Sequence, residues 1–167
     1  MRKWLITAAM LPVLLLTACS SAHADEQRVG DALSLDLSEA ASVSYEDTHG
    51  GFHGDGGTFA VLTFDEDAAQ EVETLLRDAG WQALPMEGDL AIFAYGGEKE
   101  GVSYGYEALA KNEVPVLENG WYWFLDRDDA AENPYSADGL LGRGSINCTV
   151  SAYDADTDTL YFYELDT

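Results

Sequence analysis

Two histidines four residues apart, His49 and His53, lie in the run Glu46-Asp47-Thr48-His49-Gly50-Gly51-Phe52-His53-Gly54-Asp55-Gly56. Imidazole and carboxylate are ligands for zinc and other divalent ions, so Asp47, His49, His53 and Asp55 form a candidate metal-binding or acid–base set. The spacing differs from H-E-x-x-H, which needs a helix to bring both histidines to one face; the interleaved glycines rule that helix out. The competing reading is a long polar hairpin loop whose histidines are solvated or bonded to the glycine backbone. Gly51-x-x-Gly54-x-Gly56 has only the outline of a phosphate cradle. No lysine accompanies it, and a strand follows where a helix N-terminus is required.

Asp154-x-Asp156-x-Asp158 opens like a calcium loop, but Thr159 and Leu165 stand where glycine and a bidentate glutamate are needed. Aspartate is also favoured in turns by its bonds to local backbone, so a plain hairpin turn is expected. Trp121, Trp123 and Tyr161 offer a stacking platform for glycans if exposed, and core packing if they sit in central strands. Arg127 and Arg143 flank a long polar loop and suit either an anionic ligand or structural ion pairs. No G-x-S-x-G or other nucleophile signature is present, and Cys148 reads as a small buried hydrophobe. No catalytic residue is therefore assigned.

The elements that must position these residues begin with a hairpin. Val43 and Tyr45 alternate with polar neighbours, and residues 58–64 are a β-rich partner across the glycine-rich run. A helix is predicted over 66–79. Asp65 caps it, Ala68, Val72, Leu75, Leu76 and Ala79 form one apolar stripe, and Gly80 stops it. Residues 89–95 suit a short helix or a strand. Residues 121–125 are apolar on both faces and read as a central strand, followed by a loop over 128–144. A hairpin of 146–153 and 159–165 closes the chain. The order predicts an α+β domain: a largely antiparallel sheet of about five strands, with one long amphipathic helix packed on one face.

Composition narrows the function. The 167 residues include 8 Lys+Arg against 31 Asp+Glu, a net charge of −23, with 47% apolar residues. That apolar share is too high for a disordered chain. The charge excludes nucleic acid as a partner recognised through its phosphates, because such binding runs on lysine and arginine.

Arg2 and Lys3 precede an apolar run over residues 4–16, which is too short to span a bilayer and has the form of a signal peptide. Leu16-Thr17-Ala18-Cys19 then has the form of a bacterial lipobox, with cleavage before a lipidated Cys19. The alternative is cleavage after Ala22-His23-Ala24, giving a soluble secreted chain. Loss of the two cations of residues 1–18 takes the charge from −23 to −25. On this reading residues 1–18 are the signal, 19–40 a lipidated cysteine and polar tether of roughly 25 Å reach, and 41–167 a single domain. The expected location is the extracytoplasmic face of the cell membrane.

The 46–56 run, Glu118-Asn119-Gly120-Trp121-Tyr122-Trp123-Phe124-Leu125-Asp126-Arg127 and the closing segment from Tyr153 to Thr167 resemble an uncharacterised family of small lipoproteins and membrane-anchored proteins of Gram-positive (Firmicutes-type) bacteria. The resemblance implies the same address and supplies no chemistry. The expected function is a non-enzymatic binding or interaction module, touching the membrane through its lipid and binding a cationic protein or a cell-wall ligand. Two alternatives stay open. One is a divalent-metal binder or metal-dependent hydrolase centred on the His49/His53 loop; the other is a glycan binder using exposed aromatics. Apart from that candidate metal, no cofactor is called for.

Overall fold

A computed structural model describes residues 14–50, 54–128 and 131–167, with side chains from residue 22 onward. The expected signal peptide therefore lies largely outside the described residues, as does the side chain of Cys19.

The first described element is a helix, α1 (Leu14–Leu33). Among its described side chains, Glu26, Val29, Gly30 and Leu33 are buried, a spacing of i, i+3, i+4 and i+7 that defines one helical face. It ends in a Schellman turn. Ser34 takes φ 57°, its N–H donates to the Asp31 carbonyl, and the Leu35 N–H donates to the Gly30 carbonyl at 2.9 Å. Leu35 and Leu37 then alternate inward and are buried. The expected tether over 19–40 is thus corrected over residues 26–37, which pack into the folded domain. No helix among the described residues is long and apolar enough to cross a membrane.

The strands are β1 (Ser42–Asp47), β2 (Gly56–Thr63), β3 (Gln82–Ala83), β4 (Gly97–Lys99), β5 (Val102–Tyr104), β6 (Gly120–Asp126), β7 (Cys148–Asp154) and β8 (Thr159–Asp166). Six of them form one sheet in the order β1-β2-β8-β7-β6-β3, with every neighbouring pair antiparallel; β4 and β5 pair separately. The closing hairpin thereby fills the middle of the sheet. The amphipathic helix α2 (Glu66–Asp78) follows the apolar stripe closely, burying Ala69, Val72 and Leu76. Gly80, at φ 82°, ends it in a second Schellman turn, with the Trp81 N–H donating to the Leu76 carbonyl at 3.1 Å.

Both faces of the sheet are covered. On one, Val29, Leu33, Leu35 and Leu37 join Val72 and Leu76 of α2 over Leu62, Tyr153, Leu160 and Phe162. On the other, α3 (Gly88–Tyr95) supplies Leu90 and Phe93 over Phe124, Cys148, Val150 and Tyr163. The expectation of about five strands and one helix on one face is corrected to six strands and three helices, with helices on both faces. Residues of β7 alternate between the two cores, which is why all seven are buried.

The polar loop after β6 completes the second cover. Leu140, Leu141 and Ile146 are buried beneath it. Arg143 ties it to the fully buried Asp126 carboxylate, and the Gly139 N–H donates to Asp89 Oδ2 at 3.0 Å. Lys99 Nζ donates to the other Asp89 oxygen at 2.5 Å. These bonds, Lys99 first, hold the Asp89 carboxyl below the usual carboxylate range against the cost of burial.

Candidate functional site

The side chains that converge do so at one end of the face covered by α1 and α2, where β1 and β8 finish and β7 begins, beside Arg28 and Ala32 of α1. Asp47 is the last residue of β1. The chain turns there because Asp47 Oδ1 accepts the His49 N–H at 2.9 Å, a side-chain turn of the kind aspartate favours. Thr48 pins the turn to β2, its Oγ1 both donating to the Gly57 carbonyl and accepting the Gly57 N–H at 2.9 Å. Gly56 has to be glycine here, since a Cβ would fall 2.7 Å from the His49 backbone.

This turn places His49 between two carboxylates. Nδ1 lies 2.7 Å from Asp47 Oδ1, and Nε2 lies 3.1 Å from Asp166 Oδ2 on β8. Ionised carboxylates only accept, so the pair of contacts suits the doubly protonated imidazolium. Burial pulls the His49 pKa down, but Asp47 and then Asp166 outweigh it and hold it above the ordinary histidine value. The same contacts, led by the His49 backbone N–H, hold the Asp47 carboxyl below its usual range.

Arg127, just past β6, extends the cluster across the sheet. Its guanidinium donates to Asp166 Oδ1 at 2.6 Å, pairs with Glu164 Oε1 at 3.3 Å, and donates to Thr149 Oγ1 of β7. Burial raises the Glu164 carboxyl above its ordinary range; Arg127 opposes this, and the nearby Asp166 carboxylate adds to it. Asp47, His49, Glu164 and Asp166 open onto a recess of about 260 Å³, walled by Arg28 and Ala32 of α1, Tyr45, Thr58 and Phe162. Arg28 lies over the Tyr45 ring at 5.6 Å and pairs with Asp25 at 3.0 Å.

The four candidate metal ligands are not brought together among the described residues. Asp47 and His49 touch, Asp55 lines a different groove on the opposite face with Lys111 and Tyr163, and His53 lies outside the described residues. No group of three or more His, Cys, Asp or Glu among the described residues is arranged to hold a metal ion. Both ring nitrogens of His49 are already engaged with carboxylates.

The turn aspartates diverge into local bonds. Asp154 accepts the Asp156 N–H and the Thr157 hydroxyl, Asp156 accepts from the Asn119 amide, and Asp158 accepts from the Tyr153 hydroxyl. Trp123 stacks on Trp81 at 6.5 Å and Trp121 lies beneath Arg77 at 5.8 Å, both packed against the core under α2. Tyr161 packs against the opposite core. The three aromatics are half-buried, Trp121 and Trp123 on one face of the sheet and Tyr161 on the other, so they do not share one platform. Cys148 is fully buried, and burial pushes its thiol up to about 12, so it is an inert core residue.

Glu164 and Asp166 are the members of the cluster that sequence reasoning missed. Their signal was the alternation Glu164-Leu165-Asp166, which puts two carboxylates on one face of a strand end. The chain matches no protein-family model, no curated protein and no solved structure.

Proposed function

We propose that the chain is a bacterial lipoprotein, anchored through Cys19 on the extracytoplasmic face, whose domain is a non-enzymatic module that binds a cationic partner. The observation that carries the binding reading is the convergence of Asp47, Glu164 and Asp166 on one open recess. Arg127 and His49 are paired with these carboxylates, and Arg28, which also lines the recess and acts on Asp47, is shared with Asp25. Burial first, and then the neighbouring Asp166 and Asp47 carboxylates, raise the Glu164 pKa, while Arg127 and His49 oppose the shift. An added cation lowers the electrostatic energy of the recess, and the −23 field of the chain steers cations toward it. Tyr45 and Phe162 supply apolar walls for the stem of a lysine or arginine.

The anchor reading rests on the lipobox. In α1 the helical backbone runs through Cys19, which lies seven residues, about 10 Å of helix, before Glu26.

Calorimetric titration with pentalysine at low and high salt tests the binding reading, on wild type and on Asp47→Asn/Glu164→Gln/Asp166→Asn. Binding that weakens with salt and is lost in the triple variant is expected. No binding to wild type at low salt overturns the reading. For the anchor, Cys19→Ala should move the protein from the membrane fraction to the medium or leave it uncleaved; unchanged retention and processing refute it.

A further inference from the structure

The outer edge of β1 is unpaired. β1 ends the strand order, and its six residues pair with β2 in unbroken register from Ser42↔Thr63 to Asp47↔Thr58. The next pair along, Thr48 and Gly57, is hydrogen-bonded, the Thr48 N–H donating to the Gly57 carbonyl at 2.9 Å. Bonded and non-bonded pairs alternate in an antiparallel ladder, so Ser42, Ser44 and Glu46 exchange the bonds with β2. Val43, Tyr45 and Asp47 turn their N–H and C=O groups the other way. Among the described residues none of these six groups has a backbone partner.

Natural edge strands are blunted by proline, lysine, a bulge or an inward charge. The sequence Ser-Val-Ser-Tyr-Glu-Asp has no proline or lysine, its register carries no bulge, and its charges, Glu46 and Asp47, are confined to its last two positions. A second copy of the chain is a poor occupant. Antiparallel self-pairing about Tyr45 sets Glu46 against Ser44 and Asp47 against Val43, leaving every carboxylate without a cation while two chains of charge −23 are brought together.

We infer that β1 accepts an extended segment of a cationic partner as an added edge strand, its basic side chains opposite Glu46 and Asp47 and its apolar ones opposite Val43 and Tyr45. This rests on the cation-binding reading above and names the partner's form. Main-chain bonds to Val43, Tyr45 and Asp47 supply affinity, and the alternating side chains supply selectivity. The recess beside Asp47 is continuous with this edge through Tyr45 and Asp47, so one strand addresses both.

An antiparallel occupant reads basic, basic, apolar, any, apolar. The probe is therefore the blocked peptide Lys-Lys-Val-Thr-Val, followed by amide NMR shifts and hydrogen exchange of Val43, Tyr45 and Asp47. Two N-methylated forms of identical charge accompany it. Methylation of both valines removes donors that face β1, whereas methylation of the second lysine and the threonine removes donors that face away. The expected result is slowed exchange at Tyr45 with the parent and with the second form, and none with the valine-methylated form. Val43→Pro deletes an outward N–H while sparing the ladder to β2, and should weaken binding about three- to tenfold.

If all three peptides bind alike in a salt-dependent way, the edge assignment is overturned and the cation-binding reading stands. If none binds at low salt and pentalysine also fails, both fall. Because the methylated peptides leave the protein unaltered, the outcome does not depend on whether Val43→Pro folds.

Discussion

Truncating Leu37 to alanine separates a docked N-terminal segment from a loose tether. Leu37 is 1% exposed and shares a core with Val29, Leu33, Leu62 and Phe162. Removing a fully buried leucine forfeits its transfer free energy and leaves a cavity, together about 2–5 kcal/mol. A domain of this size is stable by only about 5–15 kcal/mol, so the loss is a large fraction of the whole. The assay is urea unfolding of a chain starting at Ser20, which carries neither signal nor lipid. Tryptophan fluorescence reports the transition, since Trp81 is 5% exposed in the same core. A chain starting at residue 41 forms the second arm. Its midpoint should fall, and its m-value should shrink because less surface is left to expose on unfolding. A Leu37→Ala change below about 1 kcal/mol, or an unchanged midpoint for the shorter chain, would refute the docking of residues 26–37.

Gly30→Ala should destabilise the fold although alanine favours a helix by about 1 kcal/mol, because the new Cβ meets the Leu35 carbonyl oxygen at 2.7 Å; a higher melting temperature would refute this. Arg143→Met strands the fully buried Asp126 carboxylate and should cost about 3–5 kcal/mol in denaturant unfolding, most of it recovered by adding Asp126→Asn; a loss under about 1 kcal/mol would mean the pair behaves as a surface one. Glu164 has a folded pKa above its unfolded value, so folding favours its protonated form, and its penalty is absent below the unfolded pKa and complete above the folded one. Stability of Glu164→Gln relative to wild type should therefore rise as pH climbs from about 4.5 through the folded pKa, and a flat difference across unfolding curves would contradict it.

Much of the scaffold was legible because local patterns carried it. The stripe of α2 and the closing hairpin reach the structure nearly as read, whereas β6, read as a central strand, lies next to the edge with only Gln82 and Ala83 beyond it. α1 escaped because Glu26 and Gly30 occupy two of its four described inward positions, so the apolar period is broken in sequence while the buried face is intact in space. The second cover escaped for a related reason. A loop that buries Leu140 and Leu141 at a single 3-10 turn has too few apolar residues to show a period. At the site, Asp47 and His49 are neighbours in the chain and were read together. Asp166 joins them only through the order β1-β2-β8, and no local pattern encodes which distant strand becomes a neighbour.

That same order has a temporal side. β8 follows every other strand in the chain, yet it lies between β2 and β7. As the polypeptide emerges from its N-terminus, the β1–β2 hairpin and the β7–β6–β3 group remain two separate ribbons with apolar faces. Neither can close onto the other until the latest strand arrives. Non-local pairing of this kind is slow, and the waiting ribbons expose the surfaces on which aggregation begins. The sheet therefore closes only once β8 is available. A nick or early stop that removes β8 leaves no smaller domain behind; it leaves two halves with nothing to join them.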